Sequence, residues 1–246
     1  MPAADNKKIN GFHLKLIAII TMTIDHIGAV IVNELINIKP GLYNRYIGLY
    51  NVCRDIGRLA FPIFCFLIVE GFLHTRNVKK YMARLFIFAL ISEIPFDLAF
   101  QGKIIYPLYQ NVFFTLCLGL LSIYISDLIL KKYPYSLKRT LLILFSVFAC
   151  AGLAFLLKTD YGAVGVFSVF IIYFYYQRSR TVSIGLSAVL LGFCLDYSEF
   201  FALADMIPVY FYNGKRGRQN KYFFYFYYPL HLLLLWLLAL LMRRSF

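Results

Sequence analysis

The chain predicts an all-α fold: a polytopic transmembrane helical bundle of about eight or nine spans with a cytoplasmic N-terminus. Three observations carry that expectation. Hydrophobic residues make up 61% of the 246 and charged residues 15%, with mean hydropathy +0.70, whereas a soluble domain averages about half apolar and a quarter charged. The apolar residues recur as span-length runs, and the basic residues collect between those runs unevenly. One integral-membrane domain over residues 1–246, opened by a short polar segment 1–13, accounts for this pattern.

The runs follow one another at about 14–33, 56–73, 82–100, 111–130, 140–157, 162–177, 182–195, 200–213 and 222–242. A helix needs about 20 residues to cross the hydrocarbon core, with roughly 17–25 usual. The first five and the last meet or approach that length. The seventh and eighth are short, and Asp205 and Pro208 interrupt the eighth. The segment between the first two runs, with Lys39, Arg45 and Arg54, reads as an outer loop. With nine crossings and the N-terminus inside, fifteen Lys and Arg fall on the inner side, Lys7 and Lys221 among them, and seven on the outer side. The bias favours a cytoplasmic N-terminus. Arg243 and Arg244 run against it, which keeps an eight-span arrangement open.

The net charge of +13 would point to nucleic acid in a soluble protein. Here it marks inner loops facing anionic lipid or an anionic ligand, and no nucleic-acid partner is expected. Five cysteines, an odd number without metal-ligand spacing, exclude a complete disulfide framework and give no metal site. A cleavable signal peptide is not expected, because the first apolar run is span-length.

Ionisable residues inside apolar spans are expensive and are functional candidates by default. Asp25–His26 lies deep in the first run and His231 deep in the last. Glu93 and Asp97 flank Pro95, spaced to neutralise Arg54 or Arg58 across helices. An inward layer holds Lys15, Glu70, Arg84 and the loop YNGKRGRQNK, with Glu70 placed to pair with Arg84 or another inner cation. Lys15 and His26 are eleven residues apart, which returns to nearly one helix face, about 16 Å along the axis. A neutral imidazole at that depth can take a proton from a hydroxyl or an amine. Asp25 lies about 100° around the helix from His26, so it is placed to orient a different group.

The pieces KLIAIITMTIDHIGAV (15–30), the run from IGRLAFPIF to IPFDLAF (56–100), YNGKRG (212–217) and FYFYYPLHLLLLW (224–236) together resemble the TraX family. That resemblance implies acyl transfer in a bacterial cytoplasmic membrane. TraX proteins are known for N-terminal acetylation of pilin subunits and are similar to wider membrane acyltransferases that take acyl-CoA from the cytosol. Those carry Arg, ten residues, then His in the first helix, and Lys15 and His26 stand at these positions. Lysine keeps the charge there but lacks the planar guanidinium fork. On this reading acetyl-CoA is the donor, with Lys15, Arg84, Lys215, Arg216 and the rest of the 215–221 loop toward its phosphates. His26 is the general base or a transient acyl carrier; His231, Glu93 and Asp97 orient acceptor or base. Arg58 holds a carboxylate or the acceptor, and Asp25 stands among the catalytic candidates without an assigned role. The acceptor bears an amine or a hydroxyl: a pilin N-terminus, a glycan or another membrane molecule. Two other function classes stay open, a proton-coupled transporter using the same Asp, Glu and His set, and a non-catalytic assembly factor for pilus or surface proteins.

Overall fold

The computed structural model describes residues 8–218 and 221–245, the side chain of Lys221 excepted. Lys7, residues 219–220 near the end of the basic loop and the Lys221 side chain lie outside the described residues, as does most of the polar segment 1–13.

Helix α1 (Gly11–Ile38) is α-helical to His26, widens to a π-helix over Ile27–Val32 and is α-helical again from Asn33. Asn10 starts it, accepting hydrogen bonds from the Phe12 and His13 amides while the His13 ring accepts from the Asn10 amide, so three otherwise orphaned donors are satisfied. A 3₁₀ turn at Pro40–Leu42 leads to α2 (Tyr43–Gly57), then a break at Arg58–Leu59, then α3 (Ala60–His74). Pro62 accounts for the break, since its ring crowds the carbonyl four residues earlier, that of Arg58. Helix α4 (Val78–Gln101) is capped by Asn77 and stopped by Gly102 at φ 65°, a conformation that suits glycine.

Helices α5 (Val112–Lys132), α6 (Leu137–Leu156), α7 (Gly162–Tyr175) and α8 (Arg180–Cys194) follow. The side chains of Asn111, Ser136 and Ser179 cap α5, α6 and α8. A nine-residue 3₁₀ helix (Tyr197–Asp205) passes into the short α9 (Met206–Tyr210), and α10 (Lys221–Ser245) closes the described chain. Among the described residues, five helical stretches are long and apolar enough to cross a membrane: Gly11–Ile38, Pro40–His74, Val112–Lys132, Leu137–Leu156 and Tyr222–Ser245. Arg84, Glu93 and Asp97 interrupt the apolar character of α4.

Two differences from the sequence reading stand out. The segment read as an outer loop forms α2, a helix packed along α1. Its polar residues Asn44, Arg45, Asn51, Arg54 and Asp55 hide it from hydropathy, and only Cys53 and Gly57 are buried. The eighth apolar run is the 3₁₀ stretch plus α9. Its larger rise of about 2.0 Å per residue lets few residues cover a long path.

The interior is built by Leu14, Ile63, Phe66, Leu120, Ile123, Val169, Ile172, Ile184 and Leu191 from α1, α3, α5, α7 and α8. Short backbone bridges tie the bundle at both ends. At one end Ile9 pairs with Tyr212, and the Gly11 amide donates to the Lys215 carbonyl at 2.8 Å. At the other, Gln110 pairs with Thr159, with amide-to-carbonyl distances of 3.0 and 2.8 Å.

Candidate active site

At the Gln110–Thr159 end a cavity of about 620 Å³ opens between α1, α2, α3, α4 and the start of the 3₁₀ helix. Its walls carry Asp25, His26, Arg54, Arg58, Tyr109, Asp160, Tyr161 and Glu199, and its floor is Met22, Phe64, Phe96 and Tyr228. That mixture, an apolar floor with a few converging polar groups, is typical of small-molecule sites.

His26 is buried at the end of the regular part of α1, where its Nδ1 lies 2.7 Å from Nε2 of His231. His231 Nδ1 in turn lies 2.9 Å from the Tyr227 carbonyl oxygen. Aromatic rings clamp the pair. Phe100 and Tyr228 stand edge-on to His26, and Tyr227 stacks on His231 with its hydroxyl 2.7 Å from Thr23 Oγ1.

Asp25 stands outside this hydrogen-bonded pair. Its Oδ2 accepts from Arg54 Nη1 at 2.7 Å and sits 3.9 Å from His26 Nε2. Gly57 makes room, since a Cβ there would fall 2.1 Å from Asp25 Oδ1. Arg58 donates to Glu199 at 2.8 Å and to Ser198 at 3.1 Å. Tyr109 donates to Asp160 Oδ1 at 2.7 Å. Burial pushes the Asp160 carboxyl up from its ordinary value, partly offset by the Tyr109 hydroxyl and the charge of Arg54. Tyr161 is held at φ 62°, uncommon for a residue with a Cβ, with its ring stacked 3.7 Å from that of Phe61.

The structure therefore gathers Asp25, His26 and Arg58 at the cavity with His231 behind them, and separates the other candidates. Glu93 and Asp97 do not neutralise Arg54 or Arg58, which already hold Asp25 and Glu199. Glu93 instead accepts from the Asn111 side chain and Asp97 from the Tyr106 amide at 2.6 Å, fastening the segment that joins α4 to α5. Glu70 pairs with the Tyr176 hydroxyl and lies 3.3 Å from His74 Nδ1, rather than meeting Arg84. Lys15 lies over the Phe224 ring at 5.1 Å and Arg84 beside Tyr81 at 5.8 Å. Lys215 and Arg216 lie where the chain meets Gly11, at the opposite end from the cavity.

Tyr109, Asp160, Tyr161 and Glu199 were not singled out from the sequence, and Arg54 was named only as a partner for Glu93 or Asp97. Arg54 and Arg58 are four residues apart in NVCRDIGR, a spacing that shares a helix face, but the stretch read as a loop. Asp160 and Glu199 sit in junctions whose partners are distant in sequence.

A family profile described as "TraX protein" matches residues 10–239. The chain is 31% identical over 254 aligned positions to "Probable fimbrial assembly protein FimC, serogroup H1" of Dichelobacter nodosus, covering 94% of this chain and 96% of that one. It is 32% identical over 124 positions to "Uncharacterized protein RP591" of Rickettsia prowazekii (strain Madrid E), covering 50% of this chain and 40% of that one. No solved structure matches. The profile runs from the cap of α1 to within the last turns of α10, so it takes in His26, Arg54 and Arg58 of the cavity and His231 behind it: the chain belongs to the TraX family.

Proposed function

We propose that the protein is an integral-membrane acetyltransferase of the bacterial cytoplasmic membrane, with acetyl-CoA as donor and an amine or hydroxyl as acceptor. The observation that carries the reading is His26: a buried imidazole whose Nδ1 is held by a second histidine and whose ring borders a charged, substrate-sized cavity. Such a ring can take the acceptor's proton as the acyl carbon is attacked, or briefly carry the acetyl group. Arg58 and Arg54 fix the carboxylates around it.

The helix ends support nine passes. Bridges and contacts put residues 9–11, 176–180 and 212–217 at one end and residues 25–58, 109–111, 158–161 and 194–199 toward the other. With the N-terminus in the cytosol, Lys15, Arg84, Lys215 and Arg216 face the donor's side and the cavity faces outward. The donor's phosphates bind at the basic end and its acyl arm reaches His26 past Met22, Phe64 and Phe96. The acceptor enters from the cavity mouth, and the similar protein named for fimbrial assembly makes a pilin-type N-terminus a natural candidate.

The test uses the purified full chain in detergent with labelled acetyl-CoA, scoring binding, thioester hydrolysis and transfer to a membrane extract. Wild type transfers label and His26→Ala loses at least about 10²-fold, the scale of a removed general base. Absence of binding by folded protein would sink the enzyme reading. The relative's name also favours a second reading, a non-catalytic assembly factor. In that case His26→Ala leaves its partners chemically unchanged and pilus assembly intact.

A further inference from the structure

The hydrogen bonds behind His26 determine which of its nitrogens is free to react. A backbone carbonyl can only accept, so His231 Nδ1, 2.9 Å from the Tyr227 oxygen, carries a proton. A neutral imidazole protonated at Nδ1 has its lone pair at Nε2. That nitrogen lies 2.7 Å from His26 Nδ1, and two lone pairs cannot face each other at this distance, so His26 Nδ1 donates. The two rings are nearly parallel, 8° apart. His26 Nε2 is left without a proton. The group nearest to it among the ion pairs, Asp25 Oδ2 at 3.9 Å, is already held by Arg54 and has no proton to offer as a carboxylate.

We infer that His231 is a positioning residue: it locks His26 in the Nδ1-protonated tautomer and presents the Nε2 lone pair as the reactive atom. The two histidines are thus unequal. His231 touches neither cavity nor substrate and acts through its neighbour, and the Tyr227 carbonyl is the fixed point from which the order is set. The alternative orientation would set a ring-nitrogen lone pair against the carbonyl oxygen at 2.9 Å, a repulsive contact between two acceptors. Tyr227 is fixed in turn, because its hydroxyl meets Thr23 on α1. The catalytic consequence rests on the acetyltransferase reading; the tautomer does not.

The experiment labels the ring nitrogens of the four histidines with ¹⁵N in the full chain and assigns His26 by its loss in His26→Gln. In wild type, at a pH where both rings are neutral, His26 Nδ1 shows a protonated-nitrogen shift and Nε2 a lone-pair shift. His231→Gln, whose amide oxygen can still accept, keeps that pattern; His231→Leu loses it and moves protons to Nε2. In the transfer assay His231→Gln stays within about tenfold of wild type, while His231→Leu drops kcat by about 10²-fold with the donor KM unchanged. Wild-type His26 protonated at Nε2 overturns the inference, as does a folded His231→Gln or His231→Leu variant with the opposite pattern. The expected tautomers in a protein that transfers no acetyl would leave His231's role standing and remove the acetyltransferase reading instead.

Discussion

At the scale of single residues, the cavity depends on one missing side chain. Asp25 lies against Gly57 so closely that any Cβ there must displace it. Gly57→Ala is expected to push Asp25 off Arg54 and lower transfer at least about tenfold while the helices persist, seen as unchanged far-ultraviolet circular dichroism. The Asp25–Arg54 pair is largely buried, with side-chain exposures of 16% and 26%. Removing one partner of a fully buried pair costs roughly 3–5 kcal/mol, and this more open pair should cost about 2–3. Arg54→Ala should therefore lower the midpoint of thermal unfolding, and adding Asp25→Asn should recover part of the loss, a coupling that a double-mutant cycle measures. The sequence made Asp25, His26 and His231 visible because ionisable groups stand out in apolar runs. It did not show their partners, since Arg54 is polar within a polar helix and Glu199 is brought to Arg58 from 141 residues away.

At the scale of elements, the π-helical segment Ile27–Val32 separates two regular halves of α1. A π-bulge behaves as one residue inserted into an α-helix, so removing one residue inside it restores the regular spiral without turning the flanking faces. Deleting the exposed Ile27 is expected to yield folded protein with the Glu34–Arg243 pair (2.6 and 2.7 Å) still formed. Deleting Ile20 instead turns Asp25 and His26 by about 100° away from Arg54 and His231, and should prevent accumulation of folded protein. Size-exclusion profiles and melting curves of the two deletions check this. Nearly every span-length helix was legible because apolar length alone reports it, and the Asn and Ser caps are written in the sequence. Neither the bulge nor α2 was, because both depend on packing: Gly28 admits Cys53, with a Cβ at Gly28 only 2.5 Å from that of Cys53.

At the scale of the whole molecule, orientation is testable through a natural reporter. Of the five cysteines Cys194 is exposed and the rest are buried or half-buried, and Cys194 borders the cavity. In the nine-pass arrangement with the N-terminus inside, a membrane-impermeant maleimide should label intact cells through Cys194, and Cys194→Ser should abolish the signal. Labelling only after lysis would reverse the orientation. The apolar runs conveyed the all-helical, membrane-type architecture from sequence, while the separation of the basic end from the histidine cavity needed the fold. That separation puts Lys215 and Arg216 at one end and His26 with its cavity at the other.

The bridge between Gln110 and Thr159 gives the cavity mouth two unlike lips. Tyr109, Asp160 and Tyr161 hang from segments sewn together by backbone hydrogen bonds and by the Thr115–Thr159 hydroxyl contact, so that side moves as one piece or not at all. The facing lip, Cys194–Glu199, is held by Arg58, which donates to Ser198 and Glu199, and by Phe200, which packs against Gly192 and Phe193 of α8. The two lips are thus held by different means, main-chain hydrogen bonds on one side and the Arg58–Glu199 ion pair with aromatic packing on the other.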